Sequence, residues 1–502
     1  MNDAIVSSGE QLSDSQSLLY TYVLAAIGFG LMIGWDIVGL YAPASPLLFY
    51  DDITQAFVLC AIGVTAMAIA YVVYIRLSSY ILAHCLRFAV IATLCGQAVV
   101  LCAFAHMVSD IPMAFDILAW MLFGCSKGAI CLVWCAYLSS LPTKHTGIAV
   151  GCGGVLGSVL FLCVFAATPL AFSLIGIALL PIASLAVLFL LFKGIPAEKL
   201  RADDYRRPLS TLSRSAALSN GAHGAVYGFI TFYVCLMGPH AATIVGTSGI
   251  IGCFFVVVLM KLAPKLNFDN GIVQRMAQPV IVVGLLLIPF LDGSHLIWCG
   301  CLVNMALAFV NIATWGTVSM ENHEFHLQPV FRFASRQAPL WVGFAAGAII
   351  TTVSSMTAHG SSGPSNVIAL ALVAVVVVSF SFYGADDSAT KHQLEALMTL
   401  DEVPEEDAEG TRSPEAPHGG DARPSFDARC AEVCERYGLS PREREVFALL
   451  ARGRNAKIIQ EELCVSASTA KTHIYRIYRK IGINSQQLLI DTVEGRSDPF
   501  GP

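Results

Sequence analysis

Charge is what this chain has least of. Asp, Glu, Lys and Arg make up 13% of its 502 residues, where soluble proteins run near a quarter. The hydrophobic share is 56% and the mean hydropathy +0.66, which excludes a string of ordinary soluble domains. The first seventeen residues contain Asp3, Glu10 and Asp14 but no Lys or Arg, so they lack the basic start of a cleavable secretory signal. The sixteen cysteines include no paired CxxC or other metal-ligand spacing, and thirteen of them, Cys60 to Cys301, lie in apolar runs. There Cys acts as a small hydrophobe, so neither a disulfide framework nor a metal site is expected, and no cofactor is implied. No nucleophile–base pattern stands out, which argues against an enzyme. The net charge of −6 averages over unlike parts and decides nothing.

What the chain has is length without charge. Runs long enough to cross a bilayer, roughly 17–25 residues each, recur near 18–40, 55–75, 79–104, 113–139, 146–167, 171–192, 220–238, 243–262, 276–292, 295–317, 338–357 and 365–384. Loops after even-numbered runs carry Arg76; Lys144; Lys193, Lys199, Arg201, Arg206, Arg207 and Arg214; Lys261, Lys265 and Arg275; and Arg332 and Arg336. Loops after odd-numbered runs carry Asp51, Asp52, Asp110, His240, Asp292, His295 and His359 but no Lys or Arg. Because basic residues accumulate on the cytoplasmic side, both termini are expected in the cytoplasm of a cell whose inner membrane holds the bundle.

The longest inner loop, 193–219, divides the membrane part 18–384 into 18–192 and 220–384, with a short cytoplasmic tail at 1–17. Glycines four apart recur in both parts: Gly30/Gly34, Gly147/Gly151 and Gly153/Gly157, then Gly224/Gly228 and Gly343/Gly347. Such spacing lets helix backbones approach closely, and its repetition suggests an internal repeat. The six-plus-six layout resembles the major facilitator superfamily over about 18–384. That family carries Asp-Arg and further basic residues after a Gly between its second and third spans. Here the loop is the short Arg76-Leu77-Ser78-Ser79 without that motif, which weighs against transport as the output.

From Asp386 to Glu435 the chain changes character, with fourteen acids against four bases and a net of −10. Pro404, Pro414, Pro417, Pro424 and Gly419-Gly420 interrupt it. Such a segment cannot repay its ordering entropy, so 385–435 is expected to be a flexible acidic linker with a root-mean-square reach of roughly 40 Å.

The segment 436–496 reverses the sign, with eleven bases against six acids. Ser440-Pro441-Arg442-Glu443 has the form of a helix start: Ser440 caps, Pro441 suits the first position, and Glu443 closes a capping box. Val446, Phe447, Leu449 and Leu450 give a buried face, and Gly453 can end the helix. Asn455 can cap a second helix with Ile458, Ile459 and Leu463 inward. A third, about Ala467 to Ile481, places Ala470, Ile474, Ile477 and Ile481 toward a core. Ser468, Lys471, Thr472, Tyr475 and Arg479 share another face, as a recognition helix in the DNA major groove requires.

These residues resemble the LuxR-type (GerE/NarL-like) helix-turn-helix: Leu439 to Val446, Gly453, Lys457, Leu463, Val465-Ser466, Thr469, Lys471-Thr472-His473, Ile477, Lys480 and the Gly482 region. The resemblance implies a four-helix DNA-binding domain, and together with the apolar runs the expected fold is all-α, a twelve-helix bundle carrying that domain at its C-terminal end. The resemblance also implies dimeric binding to double-stranded DNA, with a fourth helix at Ser485 to Val493 in the dimer contact. Lys471, Thr472 and Tyr475 would then face base edges, while Lys457, Thr469, His473, Arg476, Arg479 and Lys480 would meet phosphates. Ala470, Ile458, Gln460 and Gln486 depart from the family's usual residues without breaking the fold.

Polar residues inside the spans are costly and mark a site. Candidates for sensing a small-molecule ligand are Trp35, Asp36, Arg87, Lys127, Trp134, Asn304, Asn311 and Trp315. Each has a bland alternative: Asp36 and Asp116 can reach headgroups, Arg87 can snorkel, and tryptophans can sit at the interface. Lys127, near mid-span, has fewer escapes. Two readings follow from different classes. One is a one-component transcription regulator, favoured because no phosphoacceptor domain accompanies the head. The other is a secondary transporter with a regulatory DNA-binding tail.

Overall fold

The computed structural model describes residues 2–41, 53–166, 170–193, 205, 214–262, 270–324, 326–357, 363–383, 426–454 and 456–463. Near the C-terminus it describes 473–474, 477–478, 480–481, 489–490 and 493. Every regular element in these stretches is helical. In lipid each backbone N–H and C=O must be satisfied within its own segment, which a helix achieves and an isolated strand does not.

The membrane part consists of α1 (Asn2–Tyr41), α2 (Ile53–Arg76), α3 (Ser78–Ala83), α4 (Cys85–Gly96), α5 (Ala98–His106), α6 (Met113–Ser139), α7 (Thr143–Ala166) and α8 (Leu170–Phe192), followed by α9 (Arg214–Leu236), α10 (Pro239–Leu262), α11 (Asn270–Leu287), α12 (Leu296–Glu324), α13 (Pro329–Thr357) and α14 (Gly363–Tyr383). Ten helices among the described residues are long and apolar enough to cross a membrane. The expected spans at 220–238 and 365–384 fall on α9 and α14, which are not among the ten. In α9 the first turns carry Ser215, Ser219, Asn220 and His223, which dilute its apolar character. The expected third span is broken into α3, α4 and α5, with interruptions at His84 and Gln97. The expected tail at 1–17 continues α1 as helical backbone from Asn2.

Arg332 and Arg336, read from the sequence as loop residues, lie instead on α13. The helices α12 and α13 run closer together than the hydropathy profile suggests, ending at Glu324 and beginning at Pro329. His326 takes a left-handed φ of 49°, and Leu327 N–H returns to the Asn322 carbonyl at 3.0 Å. The Gln328 side chain then accepts from Phe331 N–H and caps α13. Arg332 pairs with Glu321, and Arg336 lies 3.8 Å from the same carboxylate.

Glycine spacing has a direct structural counterpart. A Cβ added at Gly224 would lie 1.9 Å from the Leu340 carbonyl oxygen, and one at Gly343 2.0 Å from that of Gly221. α9 and α13 therefore pack backbone against backbone. α1 and α7 do the same more loosely, an added Cβ at Gly30 meeting the Gly153 oxygen at 2.9 Å. The internal echo in the sequence thus marks one kind of helix pair used twice.

A separate compact unit lies C-terminal to Asp387. It contains α15 (Phe426–Arg436), α16 (Pro441–Ala451) and α17 (Ala456–Leu463). Its own core gathers Cys430, Val433, Cys434, Leu439, Val446, Phe447, Leu450, Ile459, Ile474, Ile477, Ile481, Leu489 and Val493. The expected flexible linker reached to 435. Its last stretch is instead α15, because Phe426, Cys430, Val433 and Cys434 fall on one helical face and pack on the core.

Candidate nucleic-acid interface and membrane site

The C-terminal unit is built from well-terminated helices. Gly438 (φ 61°) ends α15 and Gly453 (φ 77°) ends α16, conformations that favour glycine. In each, the following N–H reaches back five residues, Leu439 to the Cys434 carbonyl and Arg454 to that of Leu449, both at 3.0 Å. Ser440 caps α16 through the Glu443 N–H, and the Glu443 carboxylate accepts from the Ser440 N–H at 2.7 Å. Arg442 donates to the Leu463 carbonyl at 2.9 Å, closing the end of α17 onto the start of α16.

The third helix is described at residues 473–474, 477–478 and 480–481. Ile474, Ile477 and Ile481 are buried as the spacing predicts. Tyr478 is buried with them, a core residue that the sequence reading left unassigned although it lies four residues after Ile474. His473 is half-buried, and its Nδ1 has no hydrogen-bond partner among the described residues. Lys480 donates to Glu443 Oε2 at 2.7 Å and to the Gly438 carbonyl at 3.0 Å. The side chains of Lys457, Thr469, Lys471, Thr472, Tyr475, Arg476 and Arg479 lie outside the described residues. Burial by itself raises the Glu443 carboxyl, but hydrogen bonds from Lys480 and Ser440 outweigh it and hold the group at about 2. Burial pushes the Cys434 thiol up against the opposing pull of Arg444, which keeps it in the unreactive protonated form.

In the membrane bundle two of the candidate residues meet. Lys127 Nζ lies 2.7 Å from Asp36 Oδ1 and donates to the Asp36 carbonyl at 2.9 Å, joining α6 to α1. Both residues are buried. Asp36 therefore does not reach the headgroups, and Lys127 escapes isolation through a partner. The ring of Phe123 lies 5.7 Å from the ammonium, and Trp35 packs edge-on against that ring at 5.3 Å.

Trp134 and Trp315 belong to a second cluster, joined through Phe29 at centroid distances of 6.0 and 5.0 Å. Trp134 Nε1 donates to Ser184 Oγ, which donates to the Gly28 carbonyl, both at 2.9 Å. Asn304 accepts from the Tyr41 hydroxyl at 3.3 Å and donates to the Val245 carbonyl at 2.7 Å. Asn311 is half-buried, and Arg87 is exposed on the outside of α4, apart from the ion pair. Asp116, a headgroup candidate from the sequence, is buried at 3.0 Å from His106 Nε2.

The family described as bacterial regulatory proteins, luxR family, matches residues 438–493. The C-terminal head is a LuxR-type helix-turn-helix. The spore germination protein GerE of Bacillus subtilis is 40% identical over 48 residues, 10% of this chain and 65% of GerE. The transcriptional regulatory protein MctR of Rhizobium johnstonii is 39% identical over 67 residues, 13% of this chain and 31% of MctR. An HTH-type transcriptional regulator of Mycobacterium bovis is 38% identical over 61 residues, 12% of this chain and 7% of that protein. The chain spans less than two thirds of the length of these relatives, so the likeness belongs to the head.

The remainder matches solved membrane proteins. The human organic anion transporter MFSD10 (TETRAN) superposes with a TM-score of 0.52 at 13% identity, covering 72% of this chain and 98% of that one. The inward open xylose transporter XylE from E. coli gives 0.51 at 14% identity, covering 76% and 99%. At such identities the likeness is one of fold: a major-facilitator-like helical bundle carries the LuxR-type head. Helix α15 precedes the matched segment 438–493 and adds Cys430, Val433 and Cys434 to the core of that head.

A polar contact that the sequence reading missed joins α6 to α12. Asn322 Nδ2 lies 3.2 Å from Ser139 Oγ, and His323 Nδ1 lies 3.1 Å from the Ser139 carbonyl. These partners are separated by more than 180 residues, so no local pattern signals them.

Proposed function

We propose that the protein is a membrane-embedded one-component transcription regulator, in which the bundle binds a small molecule and its occupancy sets DNA binding by the LuxR-type head. The observation that carries this reading is the union in one chain of a LuxR-type head with a major-facilitator-like bundle holding a buried Asp36–Lys127 pair. Loop charge supports cytoplasmic termini in a bacterial inner membrane, which puts the head on the side where DNA is. The head binds operator DNA as a homodimer, Lys471, Thr472 and Tyr475 reading bases and Lys457, Thr469, His473, Arg476 and Arg479 holding phosphates. We assign no catalysis to the protein.

A ligand shifts an equilibrium only by its differential affinity for two states. Helix α6 offers the link between such states. It carries Lys127 at the ion pair and Ser139 at the contact with α12, twelve residues apart along one rod, about 18 Å at helical rise. A ligand that separates Lys127 from Asp36 acts on the same helix that holds α12 at Ser139. The test is reporter expression from a promoter occupied by the protein, measured with compounds shown to bind the purified full-length chain. Expression that responds to at least one binder, and loses the response in Lys127→Met, supports the reading; indifference to every binder contradicts it.

A second reading, a secondary transporter with a regulatory tail, is favoured by the buried ion pair in a transporter-like fold. Saturable flux in vesicles holding the purified protein, with reporter output unchanged by the transported compound, selects it over the first.

A further inference from the structure

Lys480 belongs by motif to the residues expected on DNA phosphates, yet its ammonium, on a side chain 39% exposed, is hydrogen-bonded to other segments of the head. One hydrogen bond goes to the Gly438 carbonyl at the end of α15 and another to Glu443 Oε2 in the first turn of α16. The same oxygen accepts the Ser440 N–H at 2.7 Å. Three chain segments therefore meet at one cation: the terminus of α15, the capping box of α16, and the last turn of the recognition helix. The Glu443 side chain is 5% exposed. Removing its cation leaves a buried carboxylate short of a partner, which is the costly way to break such a pair. Next to Lys480, Ile477 and Ile481 are buried, so its stem leaves the helix beside the core-facing stripe. A lysine used for phosphate contact is instead free to follow the backbone of the duplex.

We infer that Lys480 is a positioning residue: it ties the end of the recognition helix to the start of α16 and so fixes the angle at which that helix is presented to DNA, without itself contacting phosphate. The inference rests on the reading of the head as a DNA-binding domain. It moves Lys480 from the affinity-giving set to the scaffold, and leaves Lys457, Arg476 and Arg479 as the basic residues available to phosphates.

The two roles differ in their salt dependence. A phosphate contact contributes about 0.9 to the slope of log affinity against log salt, whereas a positioning residue contributes nothing to it. The experiment uses the full-length protein in nanodiscs and a 30-base-pair duplex selected by the wild type from a random-sequence library. Affinity is measured at several salt concentrations, at a temperature where circular dichroism shows every variant folded. For Lys480→Gln the expected result is a line parallel to wild type and displaced by about tenfold weaker binding at every salt concentration. Lys480→Arg, which keeps a donor for Glu443, restores most of the affinity. Arg476→Gln reduces the slope by about one per contact. Thermal melting of Lys480→Gln, Glu443→Gln and the double variant supplies a second readout, in which the double loses no more than the larger single loss. A Lys480→Gln slope reduced like that of Arg476→Gln, or additive melting losses, overturns the inference. Wild-type protein that selects no duplex from the library overturns the DNA-binding reading itself, a result visible before any variant is made.

Discussion

The membrane bundle and the head each close a carboxylate onto a lysine at 2.7 Å between helices distant in sequence, Asp36 with Lys127 and Glu443 with Lys480. Their surroundings differ. In the bundle both partners are buried, the lysine's hydrogen bond goes to the backbone carbonyl of the same aspartate, and aromatic rings complete the shell. In the head the carboxylate doubles as a helix cap while the lysine side chain stays 39% exposed. A charge pair in lipid is costly and is retained where it can be used. A pair at the edge of a small soluble core can serve as a tie between helices. On the reading proposed above, the same chemistry marks a site in one region and a scaffold in the other.

The largest effect should come from breaking the bundle pair from one side. Lys127→Met leaves Asp36 buried without its cation, and the detergent-solubilised protein should lose about 3–5 kcal/mol of stability. The double change Asp36→Asn with Lys127→Met should recover most of that loss while abolishing any ligand response. A double variant that responds like wild type would show that the pair is structural, as in the head.

The head pair has a smaller effect with a defined pH window. Glu443 is held below the ordinary carboxylate range, at about 2 in the folded head, so the fold favours its ionised form. The contribution is fully present above the unfolded carboxylate value, and it is lost as pH falls from there through about 2. Chemical denaturation of the protein, followed through a fluorescent label attached to the head, should show a loss of about 2 kcal/mol across that window, after allowance for the half-exposed lysine. Glu443→Gln should be less stable at neutral pH and nearly flat across the same window.

Smaller again is the cap. Ser440→Ala removes the acceptor for the Glu443 N–H while leaving the Glu443–Lys480 contact in place, and should cost about 1 kcal/mol in thermal melting. A loss as large as that of Glu443→Gln would mean that the capping box and the lysine tie act as one unit.

Much of this architecture could be read locally. Apolar runs, the Ser440–Glu443 capping box, the Gly453 stop and the Ile474, Ile477 and Ile481 stripe all follow from short-range rules. Helix α15 was hidden because the four apolar residues of its buried face sit at the end of a segment with a net charge of −10. The sequence named Asp36 and Lys127 separately, but their pairing spans 91 residues and depends on how α1 packs on α6. Lys480 matched a motif for phosphate contact, while its partner Glu443 lies 37 residues earlier. Arg332 and Arg336 were assigned to a loop because α12 and α13 extend beyond the apolar runs of the sequence, where hydropathy no longer reports helix ends.

The central claim is that the head reads DNA while held by the bundle. It is tested most directly by crosslinking in living cells, isolating the membrane fraction and sequencing the DNA recovered with the full-length protein, beside a Lys471→Ala variant of equal abundance. The account predicts discrete genomic sites sharing a two-fold symmetric sequence for the wild type and their disappearance in the variant. Recovery of no sites, or of the same sites with both proteins, would contradict it.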